Sequence, residues 1–540
     1  MNRLKLLPSL ALAALVGSAP GAFGQVVNAE LINLQGTLNV APIANVGFIG
    51  AGNLAGDASA AVIQASGAQG SVAFTTANQN GPVLNIVGVS VQGTVNTGFG
   101  IIANAGIIAA TGPIAGDAAT ASVSASGATS SIGITTVNTN DPFFGGEGDV
   151  TTVIGAAAQL TINAPLIGGV FNIGAIGAGS ITGNGAAAAV AASGATSSVS
   201  VTTVDTAQGG LFASGDSNAA ILAVVQGTAN FAPIVNIGLI ALGSNGAISG
   251  DGASAVIAAS GATSSVSVTN INSIDGSDTL IGAVGQGTFN GGVAVILPGA
   301  GVVFLADSSP IFNTGLIVAG GGVTGAGATA AVQASGATSS VSVANVAGDF
   351  QNPFAVSTTL IGVVGQVTQN FGSVTNFGVI LLGNGDISGN GATAAVSASG
   401  AVSSVSVSNV STDPSVPFFG SIPSGANSVT AIGVVGQVTL NIAPVLNVGL
   451  ITSGDLSGVG SSAVISASGA TSSVAVTNLS DSPAGNVTTV GLVGQATVNL
   501  APVTNAGVIS AGNLSGAGAT AAVTAAGATS VVSISNIAGR

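Results

Sequence analysis

The sequence predicts an all-β fold: a repeat β-solenoid, parallel β-helix-like, of eight degenerate repeats. Three observations predict it. One set of motifs recurs along the chain: Gln-x-Thr-x-Asn, then Asn-x-Gly-x-Ile, then a Gly-Ala pair opening an alternating Ser/Val run. Repetition of this kind means stacked units, not one core around a single active site. Within the motifs, polar and apolar residues alternate with period two, the spacing of a strand. Surface helix formers are scarce, with 3 Lys+Arg in 540 residues, whereas Gly alone contributes 85; Val, Thr, Ser and Asn fill the chain instead.

In chain order, the first element is a secretory signal peptide over 1–24. Arg3 and Lys5 supply its positive end, residues 6–16 its apolar centre, and Ala22-Phe23-Gly24 the small residues before a cut at Gln25. The mature chain is then expected to be secreted, extracellular or at the cell surface. It keeps Arg540 as its one basic side chain against 17 Asp+Glu. That balance excludes nucleic acid as a partner and electrostatic attachment to anionic lipid. Cysteine is absent, so durability has to come from backbone pairing and packing. No transmembrane segment is expected in the mature chain: the nearest candidate, 292–306, is too short for a spanning helix and contains Pro298. Disorder is excluded too, because 47% of residues are hydrophobic and 4% charged.

The solenoid occupies 25–540, in repeats of about 26–83, 84–150, 151–217, 218–278, 279–357, 358–428, 429–486 and 487–540. Gly67, Gly127, Gly194, Gly261, Gly336, Gly400, Gly469 and Gly527 of the Gly-Ala pairs mark the register. Each repeat reads as three or four short strands. In the seventh, Gln437, Thr439 and Asn441 fall on one face and Val438, Leu440 and Ile442 on the other. Ala443-Pro444 breaks that strand, and Asn447-x-Gly449 offers residues tolerant of positive φ for a corner. The variable segments after each Ser/Val run collect Pro, Asp and Gly and read as projecting loops. The fifth repeat carries an apolar insertion between Asn290 and Asn313.

Gln35, Gln92, Gln159, Gln226, Gln286, Gln366, Gln437 and Gln495 open the eight copies, while the positions between the polar residues drift among Gly, Val, Ala, Leu, Phe and Gln. Copies stacked in register would place like amides at strand spacing, where they hydrogen-bond along the stack. A structural ladder through these glutamines, and through Asn441 and Asn447 with their counterparts, is therefore expected. Asn505-Ala506-Gly507-Val508-Ile509 followed by Ser515-Gly516-Ala517-Gly518 resembles the degenerate repeats of filamentous-haemagglutinin and autotransporter passenger regions. The resemblance covers nearly the whole mature chain and implies a right-handed parallel β-helix on a bacterial surface. The Gln/Asn repeats are more distantly similar to curli-type amyloid subunits, although each unit here is roughly three times longer.

His, Cys, Tyr and Trp are missing, which removes the imidazole base, the thiol nucleophile and most metal ligands. No enzyme and no cofactor are expected. Asp141, Glu147 and Asp149, around Gly145-Gly146, form the densest carboxylate group and the one candidate for calcium; without a repeated ligand spacing, turn chemistry accounts for them better. Other carboxylates, such as Asp57, Asp117, Asp251, Asp386 and Asp455, are single turn residues. The pairs Phe143-Phe144 and Phe418-Phe419 sit in Asp-Pro loops as possible contact points for a neighbour. Ice binding is disfavoured, because Thr-x-Thr is not maintained. The expected function is an exported structural protein forming an extracellular fibre, sheath or surface coat, or a biofilm matrix, with itself as partner. The alternative is a secreted cell-surface adhesin whose inter-repeat loops bind cell-surface or matrix components. Neither terminal copy reads as charged enough to block strand pairing, so association end to end is expected.

Overall fold

The computed structural model describes residues 26–78, 83–98, 101–110, 112–138, 150–165, 168–206, 217–242, 248–272, 277–291, 294–297, 301–304, 309–319, 322–348, 357–382, 387–412, 428–480 and 486–538. These residues form a parallel β-solenoid of eight coils, with strands, turns and no helix among them. Each coil has five strands. In the first they are β1 (Val26–Asn39), β2 (Ile43–Ala51), β3 (Leu54–Ala55), β4 (Ala60–Gln64) and β5 (Ala68–Asn78), and the same labels serve for every coil. In the seventh they are Ser428–Asn441, Val445–Ser453, Leu456–Ser457, Ser462–Ser466 and Ala470–Ser480. Every strand pairs in parallel with its counterpart in the next coil, giving five eight-stranded sheets.

The expected three or four strands per repeat are thus five. The two extra ones, β3 and β4, run for two and five residues, too short for alternation to show. They flank a tight turn in which Gly458 (φ 129°) and Gly460 (φ 72°) take conformations that side chains rarely adopt. The Asn-x-Gly corner is also resolved differently. Gly449 has φ 129° and kinks β2 from within. Asn447 has no positive φ and points inward.

Strand β1 is longer than its motif. It begins nine residues before Gln437 and changes phase on the way: Gly433 and Val434 both face out, while Ile432 and Val435 both face in. Such a bulge places two residues against one and reverses the inside-outside alternation upstream of it. Ile432 and Val435 pack against Val474 and Val476 of β5, forming one apolar core between the two long sheets. A second core, with Ile451, Leu456 and Ile465, fills the space enclosed by β2, β3 and β4. The apolar insertion of the fifth repeat forms an antiparallel hairpin, Ala294–Leu297 with Gly301–Phe304. It is extruded without disturbing the stack, since Asn313 still pairs in register with Asn236 and Asn376.

Candidate functional site: internal ladders and end coils

The polar row of β1 faces the interior. Gln437, Thr439 and Asn441 are each no more than 1% exposed, whereas Val438 is 46% exposed. A buried primary amide has two N–H donors and an acceptor to satisfy, and the in-register stack satisfies them all. Each glutamine Nε2 donates to the Oε1 of the preceding coil: Gln92 to Gln35 at 3.2 Å, then Gln159, Gln226, Gln286, Gln366, Gln437 and Gln495 in turn at 2.8–2.9 Å. The same nitrogen reaches across to a β5 carbonyl, as from Gln437 to Ser473 O at 3.1 Å. One column therefore joins neighbouring coils and also ties β1 to β5.

Asparagine ladders run the other way. Asn441 Nδ2 donates to Asn499 Oδ1 of the following coil at 2.7 Å, and Asn447 does the same to Asn505 at 2.9 Å. Their second N–H groups hold the chain where it turns: Asn441 bonds Ala443 O at 2.8 Å, before Pro444, and Asn447 bonds Ala398 O at 2.9 Å, between β4 and β5. The glycine of the Gly-Ala pair makes room for the first of these ladders. A Cβ at Gly400 would overlap Asn441, and one at Gly336 would overlap Asn370. Motifs more than 30 residues apart are thus one packing unit. In the sequence that glycine reads only as a register mark, because its partner belongs to the next copy.

Between the amide columns lies a hydroxyl zigzag. Thr94, Ser130, Thr161, Ser197 and Thr228 bond in succession at 2.7–2.8 Å, and the chain continues through Thr368 and Ser403 to Thr497 and Ser530. In the first coil the corresponding β5 position is Gly70, which has no hydroxyl to extend it. The threonine rows face inward and are not displayed as a surface array.

Of the single acidic residues, Asp117 and Asp251 act as caps between coils: Asp117 Oδ1 accepts from Asn184 N at 3.1 Å and Asp251 Oδ1 from Ala326 N at 2.9 Å. Asp57 and Asp455 do the same for Asp117 N and Asn513 N. No three Asp or Glu residues gather among the described residues. The calcium candidates Asp141, Glu147 and Asp149 lie outside them, as do Phe143, Phe144, Phe418, Phe419, Asp386 and the signal segment 1–24. Among the described residues no helix is long and apolar enough to cross a membrane.

The two end coils differ from the interior and from each other. In the eighth, Val532 and Ile534 occupy the columns of Val474 and Val476, yet are 49% exposed, against 1% for those two. The first coil departs from the sequence expectation. Glu30 stands in the column of Val87 and Ile154, which face the core, and accepts a hydrogen bond from Asn33 Nδ2 at 3.0 Å. An inward carboxylate in a terminal coil is a recognised device against strand addition. Glu30 lies five residues before Gln35, so strict alternation puts it on the solvent face; the bulge in β1 turns it inward. No protein-family model, curated protein or solved structure matches the chain.

Proposed function

We propose that this is a non-catalytic, exported structural protein that self-associates end to end through its coils, building an extracellular fibre, sheath or surface coat. The observation that carries the reading is the match between the two end coils. Glutamine amides donate toward the first coil and asparagine amides toward the eighth. A first coil stacked on an eighth would therefore bring Gln35 Nε2 to Gln495 Oε1, Asn499 to Asn39, and Asn505 to Asn45, with the polarity of every interior junction. Val532 and Ile534 would recover the cover they lack, as burial of half-exposed apolar side chains favours. The signal-like segment 1–24 and the resemblance to surface-protein repeats support export.

Glu30 sets the opposing term, since docking would bury its carboxylate beside the apolar Val490. Glu30→Gln is expected to strengthen assembly and lower the concentration at which light scattering rises. Val532→Lys with Ile534→Lys is expected to abolish growth, leaving circular dichroism of the interior coils unchanged. Salt should favour wild-type assembly, because the acidic excess is screened beyond about 8 Å at physiological ionic strength. A wild-type protein that stays monomeric at high concentration and salt would overturn this reading in favour of the adhesin.

A further inference from the structure

The outward face of the β1 sheet is largely apolar, and no other element of the fold covers its exposed Leu160, Leu222, Val363 and Leu492. Among the described residues, its outward positions carry a single charged side chain, Asp278. In the later coils its relief is regular. Gly436 and Gly494 form a furrow in which a Cβ would meet nothing within 4 Å. Ridges rise beside it, with Val434 37% and Leu492 60% exposed on one side and Val438 46% exposed on the other. The outward positions of β5 differ in chemistry: Ser340 and Ser404 belong to rows of small hydroxyl residues.

We propose that this face packs against the same face of a second copy of this chain, ridge into furrow, as a dry sheet-to-sheet interface. The second copy is the fitting occupant for three reasons. The furrow repeats at strand spacing over the fifth to eighth coils, through Gly285, Gly365, Gly436 and Gly494, so an identical sheet matches it over that half, as in paired sheets with interdigitated side chains. The area suffices: four strands at about 4.8 Å by 14 residues at about 3.3 Å give roughly 900 Å² per copy, where a stable interface needs about 800 Å². A lipid surface fits less well, since the sheet has no basic side chain and no Trp or Tyr to sit at headgroup level. Face-to-face pairing is independent of end-to-end growth, and together they would yield paired filaments.

The test uses the full chain carrying Val532→Lys and Ile534→Lys, so that end growth does not contribute. Sedimentation velocity is expected to show a dimer. Adding Val363→Lys and Val434→Lys should convert it to monomer, whereas adding Ser340→Lys and Ser404→Lys should leave the dimer intact. Should the first pair lose its β spectrum, Leu492→Glu reads the same face. A monomeric end-blocked parent overturns the proposal, as does equal loss from both lysine pairs. Monomers that instead co-sediment with phosphatidylcholine vesicles, and lose that binding with Val363→Lys and Val434→Lys, would assign the face to lipid and overturn it too. A wild-type chain that dimerises but never forms filaments would leave this proposal standing and remove the end-to-end one.

Discussion

Gly378→Ala is expected to destabilise the middle coils by about 3 kcal/mol or more. Gly378 has φ 126°, a conformation that costs a side-chain-bearing residue of order 1–3 kcal/mol by itself. A Cβ there would also overlap the carbonyl oxygen of Gly315 directly beneath it. That oxygen is backbone in the neighbouring coil, so relief requires the coils to part, and the strain passes to Gly449 above. Gly436→Ala is the matched control. It makes the same chemical change in β1, where a Cβ meets nothing within 4 Å, and should alter stability by less than about 0.5 kcal/mol. Because stacked repeats unfold in segments, hydrogen exchange resolved along the chain reads the effect better than one melting temperature. Loss of protection should centre on the fifth to seventh coils for Gly378→Ala.

The second large effect concerns the glutamine column. Gln366→Met keeps the volume and the helical or strand neutrality of the side chain but removes the amide. It leaves Gln286 Oε1 without its axial donor and Gln437 Nε2 without its axial acceptor, and removes the tie to Ser404 O. Each buried polar group so orphaned costs about 1–3 kcal/mol, and a loss of about 3 kcal/mol is expected. Gln369→Met, three residues along the same strand, changes a side chain on the outward face and should be close to neutral. Denaturant titration of the two variants checks this, and similar midpoints would mean that the column contributes nothing by being buried.

Much of this arrangement could be read in the sequence, because a stack of like units repeats its constraints in every copy. Gln35 through Gln495 recur while their neighbours drift, which is what a buried ladder requires and a solvated face does not. The less legible features involve relations the linear pattern cannot display. In the first seven copies the glycine of the Gly-Ala pair is fixed by an asparagine in the following copy, as Gly400 is by Asn441. Strand β3 has two residues and no period. The bulge at Gly433 and Val434 looks like ordinary small and apolar residues, yet it inverts the face of everything upstream. For that reason Glu30 reads as a surface charge in the sequence and stands inward in the fold. The opposite polarities of the glutamine and asparagine ladders emerge only from the hydrogen bonds themselves.

End-to-end stacking without a break in register is the central claim, and the helical rise of the assembly tests it most directly. Cryo-electron microscopy of filaments grown from mature protein should show the strand spacing continuing across each junction. Eight coils at about 4.8 Å then give an axial rise of about 38 Å per chain, with Gln35 seated over Gln495. A rise clearly greater than this, with a gap between the eighth coil of one chain and the first of the next, would contradict the account.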